Sequence, residues 1–207
     1  MIIIGAKGFA KELFEVIYSQ NEHEYICFYD DVNTDVPDYL YEKYKVIKSI
    51  EEVINEFKRD NRFALGLGNP AVRKKLGEKF ESIGGIQQTF VSKNANIGHF
   101  GVNLSNGIVI CGGVNITNDI EIGKGCLINL NCTLGHDSVM EDYVELCPGV
   151  HISGNVKIGT CSFIGTGAVV MPGIVIGKNV KIGAGAVVMK DLPDNVTAVG
   201  IPAKIIS

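Results

Sequence analysis

A histidine beside an aspartate is the pair of residues in this sequence that is best suited to acid–base chemistry. His136 and Asp137 closely follow an aliphatic residue, Leu134. An imidazole can accept a proton near neutral pH, and an adjacent carboxylate can orient the ring or raise its basicity. Asn129 and Asn131 lie just upstream and could help to hold reacting groups. An ordinary surface histidine would have the same local sequence, so both interpretations stay open on these residues alone.

The other histidines do not extend this pair into a metal site. A catalytic zinc site takes three protein ligands, and a site of the γ-carbonic anhydrase kind needs three histidines with two of them closely spaced. His136 and His151 are 15 positions apart, and His23 and His99 lie elsewhere in the chain. We therefore predict that no metal ion is bound, and a zinc hydratase is disfavoured.

A glycine-rich turn near the N-terminus could bind phosphate. Gly5, Ala6, Lys7, Gly8 and Phe9 follow a short aliphatic run and precede a segment with the pattern of an amphipathic helix. In a strand–turn–helix unit, small residues let the backbone approach a phosphate, and the first N–H groups of the helix are free to bind it. The spacing is G-x-x-G rather than the dinucleotide pattern G-x-G-x-x-G, so an ordinary tight turn is equally compatible.

Two further turns are predicted to lie at the same edge of a parallel sheet as the glycine-rich turn. Asp30 and Asp31 end one predicted strand, and Gly68 and Asn69 end another. The carboxyl ends of parallel strands form the usual ligand crevice of such sheets, where carboxylates can accept hydrogen bonds from a ribose or a base. We expect these three turns to form a nucleotide site, although Asp30 and Asp31 alone would suit a solvated loop.

The remaining elements complete a Rossmann-like α/β domain over residues 1–90. Ser49 and Glu52 form a capping box, which predicts the start of a helix. The predicted segments are strands over 25–29 and 62–67, a helix over 50–57, a helix through Val72, Leu76 and Phe80 that carries Arg73, and an irregular stretch over 32–44.

The second half of the chain repeats every six residues. The repeated position holds an aliphatic residue or a methionine without a break in register. A six-residue period fits neither an α-helix nor a two-residue strand alternation, and it is typical of a left-handed parallel β-helix. A β-sandwich would need irregular loops that break the period. The repeated positions are Ile110, Ile116, Ile122, Ile128, Leu134, Met140, Leu146, Ile152, Ile158, Ile164, Val170, Ile176, Ile182 and Val188.

Two other positions of the repeat support this fold. The residue two places before the aliphatic is mostly small or β-branched, and we expect it to line the interior. Cys126 and Cys132 fall in this register, where a thiol packs as a small hydrophobic group. Glycine often follows the aliphatic residue, and we expect it to supply unusual backbone angles at the corners. These glycines are Gly123, Gly135, Gly159, Gly165, Gly177 and Gly183.

The repeat also sets the predicted domain limits. The β-helix is expected over residues 91–190, followed by a C-terminal tail over 191–207. Between the first hexad-like segment and Ile108, one or two extra residues break the register, so we expect a bulge in the first coil.

Composition excludes several classes of function. The chain has 207 residues, 46% of them hydrophobic, and a net charge of −4. Without a basic surplus, nucleic acid is a poor candidate partner. No apolar run reaches membrane-spanning length and no signal peptide is recognisable. The six cysteines form no C-x-x-C pair, so we expect reduced thiols and a cytoplasmic protein.

Nearly the whole chain resembles the hexapeptide-repeat sugar acetyltransferases of bacterial surface-glycan pathways. These include N-acetyltransferases of nucleotide-linked 4-amino-6-deoxy sugars and the related sialic-acid O-acetyltransferases. The segments that carry the resemblance are IIIGAKGFAKE, YDD, LGLGNPAVRKK, LGHDSVMEDYVELCPGVHISGNVKIG and GIPAKII.

The resemblance implies a set of partners and residue roles. Acetyl-CoA would be the donor, bound between subunits of a homotrimer, and the acceptor nucleotide would lie on the three turns described above. His136 would be the general base, Asp137 would polarise it, and Asn129 would lie near the reacting groups. No covalent acyl-enzyme is implied, so Cys132 and Cys147 are read as packing residues. The positions expected to bind the cofactor are Glu145, Ser153, Gly154, Thr166 and Ala184.

Two residues depart from the family pattern and leave the acceptor open. Phe9 stands where many relatives have histidine, and Lys7 replaces a usually small residue. Lys7 could contact a diphosphate or be solvated. We predict N-acetylation of a UDP- or dTDP-linked 4-amino-4,6-dideoxy sugar for O-antigen, capsule or protein glycosylation. The alternatives are O-acetylation of sialic acid or another polysaccharide sugar, and a non-catalytic β-helix that binds a nucleotide sugar.

Overall fold

An α/β domain forms the N-terminal part of the chain in the computed structural model, which describes residues 1–20 and 25–207. His23 lies outside the described residues. The sheet has the order β3-β4-β2-β1-β5-β6, and all neighbouring pairs are parallel except β3 and β4. Its elements are β1 (Ile2–Ile4), α1 (Phe9–Tyr18), β2 (Cys27–Tyr29), β3 (Tyr39–Leu40), β4 (Tyr44–Ile47), α2 (Ile50–Phe57), β5 (Arg62–Leu65), α3 (Pro70–Ser82) and β6 (Ile86–Gln87).

Local sequence explains where these helices begin. Half of the predicted capping box is present at the start of α2: the Glu52 backbone N–H donates to the Ser49 hydroxyl, while the Glu52 carboxylate accepts from the Lys48 N–H rather than from the Ser49 N–H. The Asn69 side chain accepts from the Val72 N–H and caps α3. The predicted irregular stretch over 32–44 was wrong in its second half, because β3 lies there and turns into β4. Strand β4 then adds to the sheet beside β2.

The second domain is a parallel β-helix with three flat sheets, here called faces 1, 2 and 3, which the chain visits in turn. Face 1 contains β7 (Phe90–Val91), β10 (Val109–Ile110), β13 (Leu127–Ile128), β16 (Glu145–Leu146), β19 (Phe163–Ile164), β22 (Lys181–Ile182), β24 (Thr197–Val199) and β25 (Lys204–Ile205). Face 2 contains β8 (Asn96–Ile97), β11 (Asn115–Ile116), β14 (Thr133–Leu134), β17 (His151–Ile152), β20 (Val169–Val170) and β23 (Val187–Val188). Face 3 contains β9 (Val102–Leu104), β12 (Ile120–Ile122), β15 (Val139–Met140), β18 (Lys157–Ile158) and β21 (Val175–Ile176).

The six-residue register predicted from the sequence matches the packing. Every repeated aliphatic position from Ile110 to Val188 is buried in one continuous core, together with most of the small residues two places before it. Residues on neighbouring rungs of a face, such as Ile110 and Ile128, are 18 positions apart, so one coil is three hexads. Val91 pairs with Ile110, 19 positions on, and the one extra residue lies before Leu104. Strand β7 includes Phe90, so the predicted domain boundary falls inside it.

The glycines that follow the aliphatic residues are required for a different reason from the one predicted. Their φ angles are ordinary, but a Cβ on Gly135 would lie 2.5 Å from the backbone nitrogen of Gly154 in the next coil. At Gly159 the corresponding distance, to the Gly177 carbonyl carbon, is 2.6 Å. Stacked corners therefore leave no room for a side chain at these positions.

Positive φ angles occur elsewhere, at a second six-residue period along the edges. From residue 101 to residue 185, every sixth residue has a positive φ. Seven of these 15 positions hold Asp, Asn, Tyr or Cys rather than glycine, and Asp137 is one of them, with φ 57°. Aspartate and asparagine tolerate this conformation better than most residues.

The α/β domain covers face 1. Leu13 and Ile17 of α1 belong to one buried cluster with Val109 and Leu127 of face 1. In a three-sided β-helix, the edge between faces 2 and 3 (edge 2–3) does not border face 1. Edge 2–3 therefore lies on the far side of the β-helix from the α/β domain of the same chain.

Candidate active site

His136 and Asp137 lie together on edge 2–3. The imidazole Nδ1 is 2.7 Å from the Asp137 Oδ2, and the two side chains are 63% and 55% exposed. When Nδ1–H donates to the carboxylate, Nε2 carries the free lone pair. Nε2 makes no hydrogen bond to any residue within 1–20 and 25–207. The pair thus presents an oriented imidazole to solvent.

The neighbouring coil determines where the imidazole lies. A Cβ on Gly154 would come within 2.7 Å of the His136 Nε2, so the ring occupies space that only glycine leaves open. The Asn155 N–H donates to the His136 carbonyl at 2.8 Å, and the Asp137 N–H donates to the Asn118 carbonyl at 3.3 Å. These bonds fix the backbone of the pair between the coils above and below.

A buried hydroxyl supports the same corner. Ser138 is 1% exposed and donates to the Ser153 carbonyl at 3.2 Å, while the Val156 N–H donates to its Oγ at 3.2 Å. The sequence pattern identified Ser138 only as a small inward residue. Its hydroxyl ties the His136 corner to the Ser153–Gly154 corner.

The other predicted site residues are divided between two edges. Ser153 and Gly154 lie beside His136 on edge 2–3. Thr166 and Ala184 lie one above the other on the edge between faces 1 and 2 (edge 1–2), after β19 and β22. Asn129 is on edge 1–2 as well, nearly buried, and its Oδ1 accepts from the Leu130 N–H at 2.7 Å.

The distance between these edges has a direct consequence. Face 2 separates them in one chain, so Asn129 does not lie beside the His136 of its own chain. Asn131, also considered as a support for His136, occupies a positive-φ position on edge 1–2 and is likewise remote from it. The sequence period reveals which residues point outward, but an outward residue can be on any of three edges.

Glu145 does not lie on an open surface where a cofactor could contact it. It is 4% exposed on face 1, beneath α3, and its carboxylate is 3.1 Å from the Arg73 guanidinium. The expectation that it binds the cofactor therefore disagrees with its position. The Glu145 side chain does point outward from the β-helix, but the α/β domain covers it.

The cysteines near the site are packing residues. Cys126 and Cys132 are buried inside the β-helix, and burial raises the pKa of Cys126 to about 12 and that of Cys132 to about 11. Burial, with a contribution from the Glu145 charge, raises the pKa of Cys147 to about 12. Thiols with such pKa values are poor nucleophiles near neutral pH.

The predicted nucleotide site is a cleft of about 450 Å³ at the carboxyl ends of β1, β2 and β5. Gly5, Asp30 and Asp31 line it as expected, and Leu67 contributes from the third turn. Gly68 and Asn69 continue from Leu67 toward a second groove, of about 510 Å³, between α3 and face 1. The residues of the cleft that sequence reasoning missed are Tyr29, Val32, Asn33, Val72, Lys75, Leu76 and Lys79.

Asp30 and Asp31 have different environments. Asp30 is 7% exposed and accepts hydrogen bonds from the backbone N–H groups of Ala6, Val32 and Asn33. Burial disfavours its charged form, but these bonds outweigh burial and hold the pKa of Asp30 below its usual value. Asp31 is exposed in the cleft. Asp30 therefore joins the two turns, while Asp31 is open to contact by a ligand.

The glycine-rich turn has an open helix N-terminus. Gly8 precedes α1 with φ 40° and no side chain caps the helix. Lys7 forms an ion pair with Asp35 in the next turn, and both side chains are well exposed. Phe9 is the first residue of α1 and packs partly against the core. The ion pair thus links the glycine-rich turn to the segment after β2, and Ala6, Lys7, Gly8 and Phe9 do not line the cleft.

Neither a metal-binding cluster nor a membrane-spanning helix is present in the part of the chain that the structure describes. No group of three or more His, Cys, Asp or Glu residues within 1–20 and 25–207 could hold a metal ion. In the same part of the chain, no helix has the length and apolar character needed to cross a membrane.

Comparisons with known proteins agree with the two-domain architecture. The PglD N-terminal domain family model matches residues 1–80, and the bacterial transferase hexapeptide model matches residues 155–190. The structure of a mutant perosamine N-acetyltransferase from Caulobacter crescentus, in complex with CoA and GDP-perosamine, is 30% identical. It has a TM-score of 0.91, with 100% of this chain and 96% of that chain covered. WeeI from Acinetobacter baumannii AYE is 31% identical with a TM-score of 0.91, covering 99% and 98%.

A curated relative points the same way over a shorter span. GDP-perosamine N-acetyltransferase of Escherichia coli O157:H7 is 26% identical over 111 residues, which is 54% of this chain and 50% of the relative. The chain spans about half the length of this relative and of a putative acetyltransferase of Schizosaccharomyces pombe that it also matches.

The combination of a Rossmann-like domain and a left-handed β-helix of hexapeptide repeats is the architecture of the hexapeptide-repeat acyltransferases. More narrowly, the chain belongs to the family of acetyl-CoA-dependent sugar N-acetyltransferases that includes the perosamine and PglB enzymes.

Proposed function

We propose that this chain transfers the acetyl group of acetyl-CoA to the amine of a nucleotide-linked 4-amino-4,6-dideoxy sugar in the cytoplasm. The observation that carries the proposal is the His136–Asp137 pair, with Nδ1 bound to the carboxylate and Nε2 free on an open edge. A cleft of nucleotide size in the same chain supports a nucleotide-linked acceptor. Full activity of a folded His136→Ala protein would refute the role of His136.

In the proposed reaction, His136 removes the proton that the acceptor amine loses. The amine nitrogen forms a bond to the thioester carbonyl carbon, and Nε2 accepts its proton. Asp137 holds the imidazole in the productive tautomer and stabilises the imidazolium. When the C–S bond breaks, the imidazolium proton passes to the CoA sulfur. The products are an N-acetylated sugar and CoA, and His136 returns to its neutral form.

The position of the cleft supports a homotrimer. The α/β domain covers face 1, so the His136 of the same chain is on the opposite edge. A neighbouring copy related by a threefold axis along the β-helix would bring its edge 2–3 toward edge 1–2 of this chain. Ser153 and Gly154 of one copy and Thr166 and Ala184 of the next would then line one groove, which suits an extended donor such as acetyl-CoA.

The most detailed part of the proposal is the identity of the nucleotide that carries the acceptor sugar. We expect UDP or dTDP, and the GDP-perosamine complexes of the Caulobacter relative make GDP a third candidate. The product would supply a bacterial surface glycan or a glycoprotein.

The test is release of CoA thiol from acetyl-CoA with a panel of UDP-, dTDP- and GDP-linked 4-amino-6-deoxy sugars, and with free sialic acid. Rapid turnover with one nucleotide sugar is expected, and mass spectrometry of the product should show one acetyl group on nitrogen. Turnover with sialic acid alone would assign the chain to O-acetylation. Binding of a nucleotide sugar without turnover would favour a non-catalytic binding protein.

A further inference from the structure

Arg73 is a fully buried arginine at the contact between the two domains. It is 2% exposed, and hydrogen bonds engage its Nε and both terminal nitrogens. Two of the bonds, to the Tyr143 and Val144 carbonyls, are 3.1 Å long. Its acceptors are the backbone carbonyls of Gly68, Gly125, Tyr143 and Val144 and the carboxylate of Glu145.

These acceptors belong to both domains, so the hydrogen bonds of Arg73 fix the position of one domain relative to the other. Gly68 is in the turn after β5, next to Leu67 of the nucleotide cleft. The other acceptors belong to the β-helix, and Glu145 follows His136 by nine positions, which is half a coil. One guanidinium therefore connects the turn of the cleft to the coil that carries the base.

The contact is specific for one position along the β-helix axis. A hydrophobic residue could cover face 1 at several heights, whereas the planar guanidinium fork fits only one arrangement of acceptors. Adjacent coils are about 4.8 Å apart, and backbone carbonyls recur at the same position of each coil, as Gly125 and Tyr143 do. The Glu145 carboxylate is what marks one height, because Leu127 and Phe163 occupy its position on the two adjacent rungs. The Gly68 turn is also in close contact, since a Cβ there would be 3.0 Å from the Glu145 Oε1.

We infer that Arg73 and Glu145 are positioning residues that fix the height of the acceptor cleft relative to the His136 edge. The inference rests on the proposed function. Under threefold symmetry about an axis parallel to the β-helix, corresponding coils of neighbouring copies lie at the same height. A clamp within one chain thus also sets the height of its cleft relative to the neighbour's histidine edge.

The chain offers a matched control. The Lys124 Nζ is 2.6 Å from the Glu81 Oε1, so this pair also joins α3 to the β-helix. It lies nearer the surface and does not touch the Gly68 turn. Removing it weakens the domain contact without releasing the cleft.

The experiment compares Glu145→Gln and Arg73→Lys with Lys124→Ala. Burial raises the pKa of Glu145 to about 7 against the opposing effect of Arg73, so assays are run at pH 8. We expect the first two variants to raise the KM for the nucleotide sugar about tenfold or more, while the KM for acetyl-CoA stays unchanged. Lys124→Ala should change neither KM. Equal rises in both KM values, or the same result for all three variants, would overturn the inference.

A second measurement does not depend on turnover. Amide hydrogen exchange of residues 66–69, followed without substrates, is expected to accelerate in Glu145→Gln and not in Lys124→Ala. Unchanged protection of this turn in Glu145→Gln would contradict its positioning. If the wild-type protein acetylates no nucleotide sugar, the proposed function fails, and the exchange result still decides whether the pair holds the turn.

Discussion

Two adjacent carboxylates in the cleft at the carboxyl ends of β1, β2 and β5 show that neighbours in sequence can have different roles. Both Asp30 and Asp31 follow β2. The Asp30 carboxylate accepts hydrogen bonds from backbone N–H groups of two turns, whereas the Asp31 carboxylate does not. The first carboxylate builds the cleft, and the second remains available to a ligand. Substitution of each should therefore affect a different property.

Asp30→Ala is expected to lower the free energy of unfolding by about 1–3 kcal/mol, because buried N–H groups lose their acceptor. The pKa of Asp30 is lowered in the folded state, so its stabilisation is present above about pH 4 and is lost as the pH falls further. Urea unfolding of wild type and variant at about pH 7 and about pH 3.5, on either side of the ordinary aspartate pKa, checks both points. A difference that stays constant between these pH values would contradict the prediction.

Asp31→Ala should leave the stability within about 0.5 kcal/mol, since the side chain is exposed. We expect instead a higher KM for the nucleotide sugar and an unchanged KM for acetyl-CoA. Steady-state kinetics with each substrate varied in turn would show this, and a change confined to acetyl-CoA would remove Asp31 from the acceptor site.

His136→Asn is expected to reduce kcat by about 10²–10⁴-fold with little change in either KM, because a base acts in the transition state rather than in binding. His151→Asn is the control, since His151 is an exposed histidine on face 2 whose Nδ1 is paired with the Thr133 hydroxyl. Circular dichroism should show both variants folded. Similar losses in the two variants would mean that histidine chemistry is not specific to edge 2–3.

At the scale of the element, glycine occurs at two positions of the hexad, and substitution is expected to fail at these positions for different reasons. Gly159→Ala would place a Cβ 2.6 Å from the Gly177 carbonyl carbon, and we expect a loss of about 1–3 kcal/mol. Gly173 has φ 75° and no atom within 4 Å of a Cβ. Gly173→Asn should cost less than about 1 kcal/mol, because asparagine already occupies equivalent edges at 131, 155 and 179. Thermal unfolding of the two variants measures these losses. Equal losses of stability in Gly159→Ala and Gly173→Asn would contradict the prediction.

The elements that could be predicted are those in which the local pattern determines the structure. The hexad register identified the inward positions of the β-helix, and strand–turn–helix patterns identified the cleft at one edge of the sheet. Contacts between distant segments could not be predicted. Glu145 alternates outward like any surface residue, and only the docking of α3 on face 1 buries it. In the sequence Ser138 is only a small residue of the repeat, and the hydrogen bonds of its hydroxyl to the next coil become visible only in the structure.

At the scale of the whole molecule, the separation of His136 from the cleft predicts complementation between copies. We expect the protein to have three times the 22.3 kDa mass of one chain in light scattering. Assayed with the nucleotide sugar well below the KM of Asp31→Ala, co-expressed His136→Asn and Asp31→Ala chains should recover about a quarter of the wild-type sites, because some neighbours then combine an intact base with an intact cleft. Mixtures no more active than the separate variants would mean that each active site lies within one chain.

The 18-residue coil also bears on how such a chain can change length. A tandem duplication of one whole coil would add a rung of about 4.8 Å and return the chain to the same face, so all later side chains would keep their directions. An insertion of a single hexad would move everything after it to the next face, because one coil is three hexads. The extra residue before Leu104 is accommodated in the first coil, where only β7 and β8 precede it in the stack. Genes for such proteins can therefore grow by whole turns between the Arg73 contact and the C-terminal tail without disturbing the histidine edge.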